Sequence, residues 1–384
     1  MKMSRNKGRR SFLVSVTTLA AWAAIVIGIT IGSSSPLWAG PFKTTITSYG
    51  NVPAVLYSEI DALMLSLESE VNKRLPDTSN GSTYLKGMSN ASVIALKGIG
   101  VDYASAPDIF VVGAGVGVGA DVGNASLSKV VGGDIDARQL RGFGAAASVM
   151  AGVNLAVFPF MPTIWVIDLK RMQLFMNFWK MDVPKFDSSL SGELTSFGFH
   201  LQYKLMDGIK VPIFLRWGGI DFTTGFDYST MDILFVQDLN KSASRVIPSV
   251  AFGNPTANAN FIGRASAGAN VKVRTIPIEL STHVQLLYVL TLFGGLGADF
   301  NSGGADANAR LNGTIAVSDN LGTINGVTAN AALDLGSHGT PSSINTRWFL
   351  GGQLNVTLLK VYAQINHGIG QDTWGVNAGV RIAY

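Results

Sequence analysis

The chain of 384 residues has no cysteine. That excludes disulfides, thiolate chemistry and the acylated N-terminal cysteine of bacterial lipoproteins. Charge is scarce as well: Asp, Glu, Lys and Arg make up 14% of the residues, against about a quarter in ordinary soluble domains. Beyond Phe12–Ile31 no uninterrupted apolar stretch is long enough to cross a bilayer as a helix. Recognisable chemistry is missing too, because the chain contains no Gly-x-Ser-x-Gly elbow, zinc motif or phosphate loop. The four histidines, His200, His283, His338 and His367, stand apart with no second ligand at metal spacing. Neither enzymatic activity, a cofactor nor a metal is therefore expected.

The formal charge of +4 is a property of one end. Lys2, Arg5, Lys7, Arg9 and Arg10 precede the apolar run Phe12–Ile31, which leads into Ser33-Ser34-Ser35-Pro36-Leu37-Trp38-Ala39. This order of basic, apolar and small residues predicts a secretory signal peptide over residues 1–39, cleaved after about Ala39; the other reading of so long an apolar run is an uncleaved anchor that spans a bilayer. Without the signal peptide, 24 basic residues face 25 acids, a net charge near −1. No basic patch for nucleic acid remains.

Three-residue spacing marks the first segment of the exported chain. In residues 53–75, Leu56, Ile60, Leu63, Met64, Leu67, Val71 and Leu75 recur at helical intervals, predicting an amphipathic helix that Ser58 starts and Pro76 stops. Residues 40–90 are read as an N-terminal segment carrying this helix, placed at a barrel mouth or as a plug. From about Ser92 the period becomes two. In residues 108–121, Gly113, Gly115, Gly117 and Gly119 alternate with Val112, Ala114, Val116 and Val118, which is a strand face and no nucleotide loop. Residues 192–207, 275–288 and 347–359 alternate in the same way, apolar on one side and polar on the other. Strands buried in a parallel sheet would be apolar on both faces.

High overall apolar content without helical spans, combined with this alternation, predicts an all-β protein over residues 91–384. The class expected is a transmembrane antiparallel β-barrel of roughly 12 or 14 strands. The stretch from Thr163 to Asp182 fits neither period cleanly, because Asp168, Lys170 and Arg171 interrupt it, and is assigned as strand. Short connectors are expected at Asp207-Gly208 and Leu359-Lys360, long polar ones from Lys241 and from Asn301 to Asn345. Leu311–Val317 and Val327–Leu335 alternate weakly, as continuations of the strands above the membrane.

The last eleven residues carry this pattern most clearly. Trp374, Val376, Ala378, Val380, Ile382 and Tyr384 share one face, and Gly375, Asn377, Gly379, Arg381 and Ala383 the other. At about 3.3 Å per residue and a tilt of about 40°, such a strand climbs roughly 25 Å, the height of an outer-membrane barrel's apolar band. The aromatics Trp374 and Tyr384 then fall at the two water-lipid interfaces. Asn377, Gly379, Ile382 and Tyr384 also match a C-terminal signal: polar residue, glycine two later, then apolar or aromatic residues at the end. This resembles the signal read by the barrel-assembly machinery of Gram-negative bacteria, although Tyr384 stands where many members carry Phe. The resemblance implies outer-membrane lipid and that machinery as partners.

The side chains predicted to face inward are Glu193, Lys204, Glu279, His283, Gln285, Gln364 and Arg381. Lining water, they would set size and ion selectivity; packed against a plug, they would form a satisfied polar interior. The leading functional expectation is a porin-like channel for small solutes, as a monomer or homo-oligomer. A carrier of hydrophobic compounds is the second, similar to the long-chain fatty-acid transporter family, with the helix over residues 53–75 as its hatch. The third is a structural or surface-interaction protein that uses the region from Asn301 to Asn345.

Overall fold

The computed structural model describes residues 38–39, 42–74, 81–105, 107, 109–123, 141–157, 163–164, 167–186, 189–211, 214–246, 256–322 and 325–384. The expected signal peptide lies outside them, apart from Trp38 and Ala39. Two strands open the described chain, β1 (Trp38–Ala39) and β2 (Lys43–Ser48), followed by helices α1 (Tyr57–Arg74) and α2 (Gly81–Ala95). Strands β3 (Phe110–Asp121) and β4 (Gly142–Asn154) come next, and then a small ribbon, β5 (Thr163–Ile164) and β6 (Ile167–Asp168). Long strands follow: β7 (Met172–Phe186), β8 (Leu190–Val211), β9 (Leu215–Val246), β10 (Thr256–Leu286) and β11 (Leu290–Asp319). The last four are β12 (Val327–Gly339), β13 (Ile344–Val356), β14 (Leu359–Ile369) and β15 (Thr373–Ala383).

The fold is an antiparallel β-barrel. Twelve strands follow one path, the lower of the two numbers expected, with β2 as a thirteenth paired to β12. Ten of them close the girdle, from β3 through β4, β7, β8, β9, β10, β11, β13, β14 and β15 back to β3. Closure removes the edges that an open sheet would leave unpaired. Strand β11 serves two partners: Leu290–Phe300 pairs with β13 and Ala305–Val317 with β12. Above the girdle, β9 to β12 therefore stand up as an extension, whose free flank on β12 is covered by β1 and β2.

Alternation along the girdle strands sorts side chains as in a membrane barrel, with an apolar face outside and an inner face of polar and small residues, interrupted where Met150, Phe175, Leu194, Met231, Phe293 and Phe349 pack against the chain inside. On β15, Val376, Val380 and Ile382 are about half exposed, at 51%, 47% and 45%, while Asn377 and Arg381 are buried. The same exposed apolar face continues through Val116 of β3, Phe178 of β7, Phe199 of β8, Leu280 of β10, Leu296 of β11 and Leu350 of β13. These residues sit within about eleven positions of the end carrying Tyr384, which fits the 9–11 residues that a tilted strand needs to cross hydrocarbon.

The lumen is filled by the chain's own α2 and the segment that follows it. Helix α2 lies against β3, β4, β10, β11, β12, β14 and β15, and Ala91, Val93, Ile94 and Ala95 are buried. The alternating glycines of β3 make this contact possible. A Cβ at Gly117 would stand 2.0 Å from the Ala95 carbonyl oxygen, and one at Gly119 2.2 Å from that of Ala91. Beyond Gly100 the chain continues to the lower end, where the Ile109 amide donates to the Tyr384 carbonyl at 2.8 Å.

Several expectations are corrected. The start of the strands near Ser92 falls inside α2. From Gly87 to Ala95 that helix is enclosed by the barrel, so its small and apolar residues show no amphipathic stripe. Helix α1 does not enter the lumen. Its Ile60 and Met64, with Leu56 just before it, join Phe42 and Val52 against Ile315, Val317, Val327 and Ala329 of the extension, and Ser58 lies inside the helix, which begins at Tyr57. Asp207-Gly208 lies within β8 beside a register shift, opposite Gly219, and the hairpin turn comes after Val211. The turn expected at Leu359-Lys360 sits at Thr357-Leu358, where Thr357 takes a φ of 56°. The strand expected from Thr163 is broken by a 3-10 turn over Leu169–Arg171, which Asp168 caps by accepting from the Lys170 amide at 3.0 Å.

Two outcomes follow from this architecture. Single spin labels at Val380 and Ile382 should report lipid, and one at Asn377 a dry interior; water at Val380 would rule out the lipid face. Gly117→Val should lower stability by about 1–3 kcal/mol through overpacking, measured by urea unfolding in lipid vesicles, and an unchanged midpoint would show that α2 does not rest on β3.

Candidate functional site: a plugged lumen

The turn after α2 carries Lys97 into the middle of the lumen. Its Nζ lies 2.8 Å from Asp227 of β9 and 3.3 Å from Asp299 of β11. Asp299 also accepts from Arg347 Nε of β13 at 2.9 Å, and Arg347 Nη2 reaches Glu279 of β10. The Tyr103 hydroxyl donates to the other oxygen of Glu279 at 2.6 Å. A second lock lies on β15. Arg381 donates to Asp102 at 3.1 Å and to the carbonyls of Gly98 and Val101 at 3.0 and 2.6 Å. Its guanidinium stands 3.7 Å from the centre of the Tyr362 ring.

Burial fixes the electrostatics of the segment inside. Desolvation favours a neutral amine at Lys97, but Asp227 and Asp299 outweigh it and hold its pKa above the ordinary lysine value. Burial likewise pushes the Asp102 carboxyl up, yet Arg381 and the amides of Ser105 and Ala104 hold it below the usual carboxylate range. Three cations, Lys97, Arg347 and Arg381, thus face four carboxylates, Asp102, Asp227, Glu279 and Asp299, nearly all of their surface removed from water. Such groups are stable only while every partner is in place, since removing one leaves an uncompensated charge.

Of the residues predicted to face inward, Glu279, His283, Gln364 and Arg381 do so and are buried. Gln364 donates to Asn366 at 2.8 Å. It also sits over Gly98, whose φ of +87° and lack of a Cβ let the plug backbone pass. Lys204 faces inward at the lower mouth, 3.3 Å from Asp221, and Gln285 lies at the lower rim, donating weakly to the Tyr288 carbonyl at 3.4 Å. Glu193 is a correction. It shares the two-residue period of Phe197 and Phe199 and so faces outward, 3.1 Å from the exposed Lys180.

Of the terminal residues, Asn377 faces inward and donates to the carbonyls of Ala95, at 3.1 Å, and Lys97. Gly379 leaves room for Tyr362, whose ring would lie 2.7 Å from an added Cβ. Ile382 faces outward. Tyr384 is exposed at the lower rim beside Phe110, with ring centres 6.2 Å apart. Trp374 lies on the outward face near the upper rim but is covered by His367, stacked at 4.0 Å, and by Trp348 at 5.8 Å.

The residues missed by sequence reasoning are Lys97, Asp102 and Tyr103 in the plug and Asp227, Asp299 and Arg347 in the wall. The wall residues were accessible: each occupies the polar phase of an alternating strand, as Arg347 does next to Trp348. Those of the plug carry no local signal, because their meaning depends on wall residues at least 130 positions away, the separation of Lys97 from Asp227.

Replacing Lys97 with Met removes the cation that the plug places between Asp227 and Asp299. A loss of about 3–5 kcal/mol is expected, read from urea unfolding in vesicles; a loss below about 1 kcal/mol would mean that the plug is not held by this pair.

The sequence pattern of a family described as Lsa36-like matches residues 42–384 of this chain. No curated protein matches it by sequence. Among solved structures, the toluene transporter TbuX of Ralstonia pickettii is similar at 8% identity over 78% of this chain and 99% of its own, with a TM-score of 0.22. The outer membrane protein Omp33 of Acinetobacter baumannii shares 7% identity over 73% and 100%, with a TM-score of 0.24. The outer membrane protease OmpT of Escherichia coli shares 9% over 74% and 99%, with a TM-score of 0.28. Scores of this size are too low to transfer anything to this chain.

Proposed function

The chain belongs to the Lsa36-like family, and from that premise we propose that it is an outer-membrane barrel of the channel kind, closed at rest by its own N-terminal segment and admitting small polar solutes when that segment yields. The observation supporting this reading is the chemistry of the wall behind the plug. Asp227, Glu279, Asp299, Arg347, Gln353, Asn366, Asn377 and Arg381 are all polar and all face the lumen. Apolar contacts hold the plug as well, Met88 and Val93 against Leu194 and Met231 and Val101 and Tyr103 against Phe175 and Phe349, but around Lys97 the wall offers ion pairs, which often stabilise less than a well-packed apolar core. A wall of carboxylates, guanidinium groups and amides can instead be rehydrated when the plug moves, leaving a wettable passage. This polarity disfavours a route for hydrophobic compounds, and the hatch role expected of residues 53–75 passes to α2 and the segment through Tyr103.

With the end carrying Tyr384 in the periplasm, the extension and residues 38–39 and 42–74 stand outside the cell. That placement favours a second reading, in which the barrel is an anchor that displays this upper unit. The assembly-machinery signal and export by the leader remain part of the proposal.

Planar-bilayer recordings separate the two. The native chain should give rare, short openings, and the double variant Asp102→Asn with Arg381→Gln, which unfastens one lock, should open at least tenfold more often. Silence in both, with the variant still folded by heat-modifiable migration on gels, would overturn the channel reading in favour of display.

A further inference from the structure

At the lower mouth, where the plug leaves the lumen at Pro107, the structure holds a cavity of about 270 Å³. Liquid water takes about 30 Å³ per molecule, so the space exceeds that of a single bound water. Its charge is one-sided. Lys170, Arg171, Lys204 and Arg216 line it, with Asp207 and Asp221 as the acids. Arg171 pairs with Asp207, and Lys204 pairs with Asp221 at 3.3 Å. Among the described residues no carboxylate pairs with Lys170 or Arg216. Two positive charges, Arg216 half-buried and Lys170 exposed at the rim, therefore stay without a carboxylate partner there.

A second, independent observation points to a ligand. His283 and Gln173 also line this cavity and are 4% and 9% exposed. His283 Nδ1 and Gln173 Oε1 are buried without any hydrogen-bond partner, Asp221 standing 4.0 Å from the former. Buried polar atoms are satisfied in the great majority of cases, so two orphans on one cavity mark a place that something polar fills.

We propose that this cavity is a binding site for a phosphate group. Arginine and lysine together suit phosphoryl oxygens, the guanidinium as a fork and the ammonium as a point charge. A monoprotonated phosphate adds an O–H donor that the Gln173 oxygen accepts. The same chemistry has two sources here, free phosphate or phosphate esters from the aqueous side, or the headgroup of a phospholipid. The outer side of the β8–β9 hairpin exposes Ile209 and Phe214, at 61% and 66%, beside which an acyl chain can lie. The site is independent of whether the lumen opens.

The test uses the full chain, with inorganic phosphate as the probe in detergent and retention of phosphatidylglycerol through purification as the second arm. Saturable phosphate binding by calorimetry, weakened at least tenfold in Arg216→Gln and in Lys170→Gln but kept within threefold in Arg216→Lys, supports a site for free phosphate. No phosphate binding, together with retention of phosphatidylglycerol through purification that is lost in Arg216→Gln, supports the headgroup source. Binding that is absent in both arms, or present but unchanged in Arg216→Gln and Lys170→Gln, overturns the proposal. Heat-modifiable migration confirms that each variant is folded, and Lys272→Gln, far up β10, serves as a charge-matched control.

Discussion

A closed ring of strands satisfies every backbone group between neighbours, but it also turns every second side chain inward, where there is either water or protein. In this chain the inward positions carry charged and amide groups alongside two apolar patches, one around Leu194, Met231 and Val271 and one around Phe175, Phe293 and Phe349, and what meets them is the chain itself. The rest of the structure follows from that choice. The glycines of β3 lower the wall so that α2 can approach at backbone distance, and Gly98 lets the chain pass Gln364 where a side chain would collide with it. Lys97 and Asp102 bring opposite charges to the two places on the wall that need them. The outer surface then has only to be apolar over the height of a bilayer, which the alternating Val, Leu, Ile and Phe residues provide.

This explains which parts were legible in the sequence. Period two is a local property, so the strand faces of β3, β8, β10, β13 and β15 could be read from a dozen residues each, as could their inward histidine, glutamate, glutamine and arginine. Helix α1 was legible for the same reason, because one side meets the extension and the other solvent. Helix α2 was not. From Gly87 to Ala95 it is enclosed by the barrel, and its run of Gly, Ser, Ala and Asn looks like a connector. Glu193 shows the opposite failure. It was judged by its charge and not by its phase, although its spacing from Phe197 and Phe199 places it outside, above the apolar band, where a surface pair with Lys180 is sufficient.

The glycine run illustrates how one pattern has different meanings at two scales. Alternating Gly113 to Gly119 suggests at first only a thin strand face. In the barrel it is the complement of a particular helix, and on the same strand Val112, Val116 and Val118 keep the lipid side intact. A strand can serve lipid and plug at once because its two faces are independent, and that independence is also why the plug could not be inferred from the wall alone.

The path of the plug constrains how the barrel can assemble. Residues 38–39 and 42–74 are held at the extension, β3 starts at the opposite end, and residues 81–105 run through the lumen between them. A ring that closed first would have to admit the upper unit afterwards through a lumen now lined by paired strands. Closure around the segment avoids this, and the seam is where β15 meets β3, the last strand against the first. That seam is also where the plug is most closely fitted: Gly117 and Gly119 touch the carbonyls of α2 from one side, while Asn377 and Arg381 bind the carbonyls of Ala95, Lys97, Gly98 and Val101 from the other. The segment can thus act as the surface on which the two terminal strands are brought into register. The C-terminal strand carries two demands in its eleven residues, one face matched to lipid and the other to the plug's backbone.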